Sequence, residues 1–525
     1  MPDVTLKVPV TYRPLTIAAG VLAAARRTPR KVAIVEGERQ LTYARLAERM
    51  ARLANAATTR LGLAHGDHVA ILGPNSFEYL EAIVGLSEAG LACATLSHRL
   101  NAAELGDICT DARAQVLFAH ESCRAQVEGA TLPHVREVVW FGPSYEALLA
   151  AAAPAWPERR AGEWDPFTIP YTSGTTGRPK GVLLPHRSRT LAFAAMAAEY
   201  ACFGPDDRFL AIAPLAHGAG AAFALAPIFF GGSVELLPKF DPVAVVEKLG
   251  SGNFTGVFLV PTQFHAIFQL DSAFLESHRR TALKSMISNA SALPQAMKER
   301  IVGLWGDGLL HETYGSTEVG LSTNLRPPDQ LRKQQCVGLP FAYTQVRLLD
   351  EDGRDVPPGE IGELFTISPY MFNGYWQDGA RFVPPLRDGW FSAGDLARQD
   401  DEGYVYIVDR KKDMIVSGGI NIYPRQIEEV LYRHPSVGEV AVVGVPDPKW
   451  GERLKAFIVP RGDARPCAEE LIAHCGTLLS AFKVPREYEL IDALPRNANG
   501  KVLKRVLAAS AARAAAGAPE PGRAP

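Results

Sequence analysis

Residues 68–119, HVAILGPNSFEYLEAIVGLSEAGLACATLSHRLNAAELGDICTDARAQVLFA, alternate short apolar runs with stretches of helical spacing. The run at 68–73 is apolar and is stopped by Gly-Pro; residues 77–89 read as helix, 91–96 as strand, 101–111 as helix and 115–119 as strand. Strands that alternate with helices are joined by crossovers and pair in parallel, so this region is expected to be α/β. Upstream, Leu46, Met50, Leu53, Ala57 and Leu61 recur at spacings of three or four, an amphipathic helix for which Thr42 offers an N-cap oxygen.

Downstream the texture changes. After about residue 335, QVRLLD (345–350) and GELFTIS (362–368) are short apolar runs broken by EDGRDVPPGEIG, which suits antiparallel hairpins and a β-rich subdomain. A second change falls at residues 409–424, DRKKDMIVSGGINIYP, where a charged run meets a Gly pair. Beyond it, 424–434 and 468–482 read as helices and 438–445 and 456–461 as strands, enough for a separate α+β domain of roughly 100 residues. The Ala/Gly/Pro-rich residues 508–525 are expected to be a frayed helix and a flexible tail.

A chain of 525 residues exceeds what one hydrophobic core serves, so two or more domains are expected. Its 55 basic and 57 acidic residues leave a net charge of -2, which supplies no global field for nucleic acid or an anionic membrane; any polyanion must be held locally. The seven cysteines are scattered and form no C-x-x-C pair, which points to a reducing compartment with neither a disulfide framework nor a zinc site. The opening residues carry no apolar leader and no apolar run approaches the ~20 residues that span a bilayer, so a cytoplasmic protein without stable membrane insertion is expected.

Residues 171–182, YTSGTTGRPKGV, gather hydroxyls, glycines and one lysine. Glycines let backbone N–H groups approach a phosphate, hydroxyls add donors and lysine adds a point charge, so this is a phosphate loop by composition. It is not a P-loop, because Arg178 and Pro179 separate Gly177 from Lys180 and Gly181 follows the lysine. HGAGAA at 217–222 likewise lacks the last glycine of the dinucleotide fingerprint.

The order of residues in 171–182 resembles the signature of the acyl-adenylate-forming (AMP-binding) superfamily, which includes acyl-CoA synthetases, non-ribosomal adenylation domains and firefly luciferase. YGSTE at 314–318 is similar to its second nucleotide motif, and Gly394-Asp395 with Tyr404 to Arg410 to its ribose motif and hinge. SGGIN at 417–421 with Pro424 resembles its glycine loop, and PRNANGK at 495–501 its C-terminal lysine motif. The resemblance implies an N-terminal domain (1–409) of parallel-type α/β subdomains plus a β-rich subdomain, a hinge (410–412) and a small mobile α+β domain (413–507).

It also implies a chemistry. A carboxylate is a poor electrophile until it is joined to AMP, and that step gathers negative groups whose charge must be neutralised. By resemblance, Thr172, Ser173, Gly174, Thr175, Thr176, Gly177 and Lys180 hold the ATP phosphates, Glu318 is the Mg2+ ligand and Thr317 reaches the α-phosphate. Tyr314 stacks on the adenine, Gly315 and Ser316 belong to the same nucleotide site, and Asn289, Ala290 and Ser291 line the other side of the ring, where SNASALP departs from the family's glycine-rich pattern. Asp395 accepts from the ribose hydroxyls and Arg410 shares that task. Lys501 bridges the acyl carboxylate and the α-phosphate during adenylation; rotation about Lys412 then withdraws it and brings Ser417, Gly418 and Gly419 to the site as a thiol tunnel.

Trp450, Phe482 and Lys483 resemble the surface on which aryl-CoA ligases of the superfamily hold CoA. The Ala-rich end leaves no room for a carrier-protein domain, so CoA is the expected thiol, with a carrier-protein pantetheine or another acceptor as the alternative. For the acid, His217 matches the superfamily's acyl-pocket histidine, Gly218 and Ala219 leave space beside it, and Gln263, Phe264, Leu321 and Met196 are candidate walls. No basic residue stands out among them, so an apolar monocarboxylate, aromatic or fatty, is expected. A homodimer is a possible partner state.

Overall fold

A computed structural model of the chain describes residues 11–157, 161–173, 179–496 and 502–515. Two large sheets form the N-terminal part. Residues 68–119 fold as read: His68–Gly73, Ala92–Ser97 and Val116–Ala119 pair in parallel inside a six-stranded sheet, joined by the helices Phe77–Glu88 and Ala102–Asp111. Asn101 caps the second helix reciprocally with Glu104, and Thr42 caps Tyr43–Thr59 by accepting from Arg45 N at 3.4 Å. The nine-stranded sheet has a parallel centre, made by Leu310–Ser316, Ser285–Ser288, Gly256–Leu259, Arg208–Ala211, Ser233–Leu236 and Val32–Glu36 in that order, with antiparallel strands at its edges.

The pleat of the nine-stranded sheet sorts its side chains. Phe209, Phe258 and Ile287 point to one face, where they join Tyr43, Tyr79, Phe193 and Phe223 in the main core between the two sheets. Leu210, Val257, Leu259 and Met286 point to the other, under the helices Pro242–Gly250 and Gln295–Trp305. Within the main core Arg49 is nearly inaccessible, and it bridges Glu81 and Glu146 with hydrogen bonds of 2.7 to 2.8 Å, which satisfies its charge without water.

The β-rich region is present as an antiparallel sheet of Gln345–Leu349, Gly362–Ile367, Phe391–Gln399 and Val405–Arg410. A smaller antiparallel sheet joins Tyr171–Ser173 and Pro179–Val182 to Tyr375–Gln377 and Ala380–Phe382. After the turn Lys411–Asp413, a last sheet begins at Ile415–Ser417, is built on the long hairpin Val437–Asp447 and Gly451–Pro460, and carries the helices Pro424–Tyr432 and Ala468–Leu478. Across the turn, Arg425 N donates to Asp409 Oδ2 and Arg425 Nη1 to Ile407 O, both at 2.9 Å.

The helix expected from residue 508 is present up to 515, and Leu507 and Ala511 pack it into the domain, so this part is not a frayed tail. Lys504–Ala515 is a helix whose Leu507 and Ala511, one turn apart, are buried against Val443, Val445 and Phe457. All seven cysteines are free and only Cys467 is exposed. Among the described residues no helix is long and apolar enough to cross a membrane.

Candidate active site

Several of the predicted site residues follow the carboxyl ends of adjacent parallel strands in the nine-stranded sheet, where open α/β sheets bind ligands. Pro214 to His217 follow Arg208–Ala211, Gln263 and Phe264 follow Gly256–Leu259, Asn289 to Ser291 follow Ser285–Ser288, and Tyr314 to Glu318 end and leave Leu310–Ser316. Because Ser288 lies opposite Glu312, the Asn289 loop and Tyr314 emerge side by side.

Glu318 occupies the turn between Leu310–Ser316 and Gly320–Leu325. That turn is tight: a Cβ on Gly315 would lie 1.9 Å from Gly320 O, and Gly320 has φ +72°. Lys180, on the neighbouring hairpin, places Nζ 3.8 Å from Glu318 Oε1. Burial holds the Lys180 ammonium below the ordinary lysine pKa, and the nearby Glu318 carboxylate partly offsets this. Tyr375 belongs to none of the motifs; its ring lies 3.7 Å from Lys180 Nζ and its hydroxyl donates to Glu318 Oε1 at 2.9 Å. Both contacts fall on Oε1, and among the described residues Glu318 Oε2 accepts no hydrogen bond.

The second cluster is Tyr314, Asp395 and Arg410. Tyr314 donates to Asp395 Oδ2 at 2.5 Å and Arg410 Nε to Asp395 Oδ1 at 2.8 Å, with Asp395 only 3% exposed. Asp395 and Arg410 are register partners on adjacent strands, which places the pair at the start of the turn Lys411–Asp413. Burial, then the carboxylate beside it, pushes the Tyr314 pKa well up, so the hydroxyl stays a donor. Thr172 Oγ1 is buried with no hydrogen-bond partner among the described residues, and such a hydroxyl costs about 1–3 kcal/mol unless a ligand meets it. Thr317 and Ser316 are half-buried, and Ser316 Oγ accepts from Val319 N at 3.3 Å. Gly174, Thr175, Thr176, Gly177 and Lys501 lie outside the described residues, and Ser173 ends the strand Tyr171–Ser173.

Ala290 adopts φ +78°, a left-handed conformation that favours glycine, and its N–H is met by the Asn289 side chain. His217 stands immediately before the helix Gly218–Phe230; a Cβ on Gly218 would meet nothing within 4 Å, whereas one on Gly220 would lie 2.1 Å from Pro214 O. Gly218 therefore borders open space and Gly220 serves packing. The loop before His217 is pinned by Asn75, a residue the sequence did not flag: Nδ2 donates to Ala213 O and Leu237 O at 3.1 Å, and Oδ1 accepts from Leu215 N at 2.8 Å.

Two candidate walls are corrected. Phe264 has no exposed surface and packs with Val257, Leu259, Met297 and Ile301 on the far face of the sheet, and the Gln263 side chain is spent capping its own helix through Val260 N. Leu321 and Met196 belong to the main core, Leu321 at its margin with 9% exposure. Arg189 also belongs to this region, as a buried cation with no acidic partner among the described residues; it donates to Tyr370 O at 2.7 Å, and burial lowers its pKa to about 10.

In the C-terminal sheet Gly418 N donates to Trp450 O at 2.8 Å, the Trp450 ring lies against Gly418, and Ser417 Oγ donates to Glu452 O at 2.6 Å. Gly418, Gly419, Trp450 and Phe482 are exposed, and Lys483 Nζ donates to Gln426 Oε1 at 2.8 Å. Among the described residues no hydrogen bond or ion pair joins this group to Lys180, Tyr314, Glu318 or Asp395. Lys412 is exposed in the turn.

A cation and a carboxylate on one side, and an acidic acceptor held by Tyr and Arg on the other, can meet anionic and hydroxyl groups of a ligand. Residues 21–376 match the family model of the AMP-binding enzyme and residues 426–501 that of the AMP-binding enzyme C-terminal domain, and the chain belongs to this family. It is similar to a feruloyl-CoA synthase of Amycolatopsis sp (38% identical, covering 91% of this chain and 96% of that protein) and to an indoleacetate–CoA ligase of Aromatoleum aromaticum (36%, 91% and 94%). Among solved structures it superposes on ATP-bound MatB from Rhodopseudomonas palustris with a TM-score of 0.87 at 30% identity, over 95% of this chain and 99% of that one; with apo MatB the TM-score is 0.76. The chain is thus an AMP-forming acid–thiol ligase that uses ATP and CoA.

Proposed function

We propose that this enzyme adenylates an apolar aromatic monocarboxylate with release of pyrophosphate and then passes the acyl group to CoA, with the C-terminal domain turning about Lys412 between the steps. The observation that carries the reading is the convergence of Lys180 and Glu318 with the Tyr314–Asp395–Arg410 cluster beside the carboxyl ends of parallel strands. The aromatic choice is supported by the likeness to feruloyl- and indoleacetate-activating ligases and by the open space at Gly218.

In the first step Lys180 neutralises the outer phosphates and Asp395 accepts from the ribose hydroxyls. Glu318 suits Mg2+: it is a hard oxygen ligand with Oε2 uncommitted, and Mg2+ asks the protein for only one or two carboxylates. When bound, the ion neutralises charge shared between phosphate oxygens. Thr317 donates towards the α-phosphate, and Lys501 bridges it to the acyl carboxylate. The better superposition on the ATP-bound than on the apo form of MatB is in keeping with an arrangement like that of a nucleotide-bound relative. In the second step the exposed loop at Ser417 to Gly419 comes to the site, with Trp450, Phe482 and Lys483 receiving the CoA nucleotide. A cytoplasmic setting, where ATP and CoA are supplied, is part of the same reading.

The test is a panel of aromatic and aliphatic acids assayed for exchange of labelled pyrophosphate into ATP and, with CoA added, for a thioester by mass. Aromatic acids should give both signals. Exchange with no thioester on adding CoA would assign the acyl group to another acceptor, and no exchange with any acid would overturn the reading.

A further inference from the structure

Lys180 and Glu318 carry opposite charges in a partly buried site, yet they do not close into a contact pair. A charge-assisted N–H···O bond settles at about 2.8 Å, whereas Lys180 Nζ stands 3.8 Å from Glu318 Oε1. Tyr375 occupies both groups instead. Its ring face lies 3.7 Å from the ammonium, and its hydroxyl donates to the same Oε1 at 2.9 Å.

The ring is held from two directions. Phe372 packs edge-on at 4.9 Å and Phe382 at 5.2 Å between centroids, leaving Tyr375 4% exposed. Tyr375 lies opposite Val182 in the sheet that also carries Lys180. Asp111 clamps that sheet to the neighbouring α/β unit: its carboxylate accepts from Tyr171 Oη at 2.6 Å and from Asp378 N at 2.5 Å, and its carbonyl accepts from Trp376 Nε1 at 2.8 Å.

A collapsed Lys–Glu pair would satisfy both groups and make each compete with its ligand. We propose that Tyr375 is a positioning residue for adenylation: it holds Lys180 and Glu318 apart, the ammonium set for a triphosphate and Glu318 Oε2 left for a divalent cation. This rests on the adenylation reading above and extends it to a residue outside the recognised motifs.

Tyr375→Phe keeps the ring and removes only the donor, whereas Tyr375→Leu removes both. Mn2+ binding in the presence of a non-hydrolysable ATP analogue, followed by electron paramagnetic resonance, reads the Glu318 side; affinity for the analogue alone reads the Lys180 side. The Phe variant should bind Mn2+ about tenfold more weakly with analogue affinity within about threefold of the wild type, and the Leu variant should lose about tenfold in both. In turnover, the Phe variant should lose rate in pyrophosphate exchange relative to thioester formation from supplied acyl-AMP. Unchanged Mn2+ affinity in Tyr375→Phe would overturn the proposal, and so would equal slowing of the two half-reactions. Thermal unfolding checks both variants, and the Phe arm decides alone if the Leu variant does not fold. Failure of the adenylation reading would show separately, as absent exchange in the wild type, because the two titrations do not require turnover.

Discussion

Arg410 Nε is bonded to Asp395 Oδ1 at 2.8 Å, so the last residue before the turn Lys411–Asp413 holds the carboxylate proposed to accept the ribose. On the proposed reading, nucleotide occupancy and the start of the hinge share one ion pair. Asp395→Ala should raise the KM for ATP roughly tenfold to hundredfold through loss of charged acceptors, with a smaller effect on the KM for CoA. Arg410→Met should also raise the KM for ATP, and in addition change the ratio of the two half-reaction rates. Steady-state kinetics with single-turnover assays of each step checks both; an Arg410→Met variant with an unchanged ratio would dissociate the hinge from the ribose site.

Lys180 is proposed to bind phosphate as a cation, and burial lowers its pKa. As pH rises through that lowered pKa the charge is lost, so kcat/KM for ATP should fall on a basic limb below the ordinary lysine value of about 10.4. Glu318 raises the Lys180 pKa, so Glu318→Gln should move the limb to still lower pH. A limb that stays put or moves up in Glu318→Gln would contradict the assignment.

Ala290 holds φ +78° where an L side chain is strained. Ala290→Gly should raise unfolding stability by about 0.5–1 kcal/mol, the strain relieved exceeding the entropy glycine adds to the unfolded chain. Ala290→Val should lower it. Denaturant unfolding measures both, and a destabilised glycine variant would show that the loop is not strained.

Asn75 ties the loop before His217 to both sheets through Ala213, Leu215 and Leu237. Asn75→Ala leaves those buried backbone groups unpaired and should cost about 2–3 kcal/mol in urea unfolding. Because the loosened loop carries His217, the KM for the acid should rise while the KM for ATP stays within about twofold. Equal rises in both would place Asn75 in general stability alone.

Local rules made much of the fold legible. The capped helices after Thr42 and Asn101 and the strands between them stand where spacing and turn residues put them, because their patterns are local. Tyr375 was invisible for the opposite reason: it meets Lys180 only because distant strands pair, and YWQDGARF alone reads as an ordinary hairpin. Phe264 misled because position after a strand does not say which face a side chain takes, and it turned to the far core. The helix Lys504–Ala515 reads as frayed from its Ala-rich composition, although Leu507 and Ala511 sit one turn apart and are buried. Arg189 was passed over because burial of a cation leaves no trace in sequence.

On the proposed mechanism Lys501 serves one half-reaction and withdraws for the other, and single-turnover kinetics of Lys501→Ala measure this directly. Adenylation, followed as acyl-AMP formed from ATP and acid, should slow by at least roughly a hundredfold, whereas thioester formation from supplied acyl-AMP and CoA should stay within about threefold of the wild type. Gly419→Leu should show the reverse pattern. Equal slowing of both steps in Lys501→Ala would contradict the two-arrangement account.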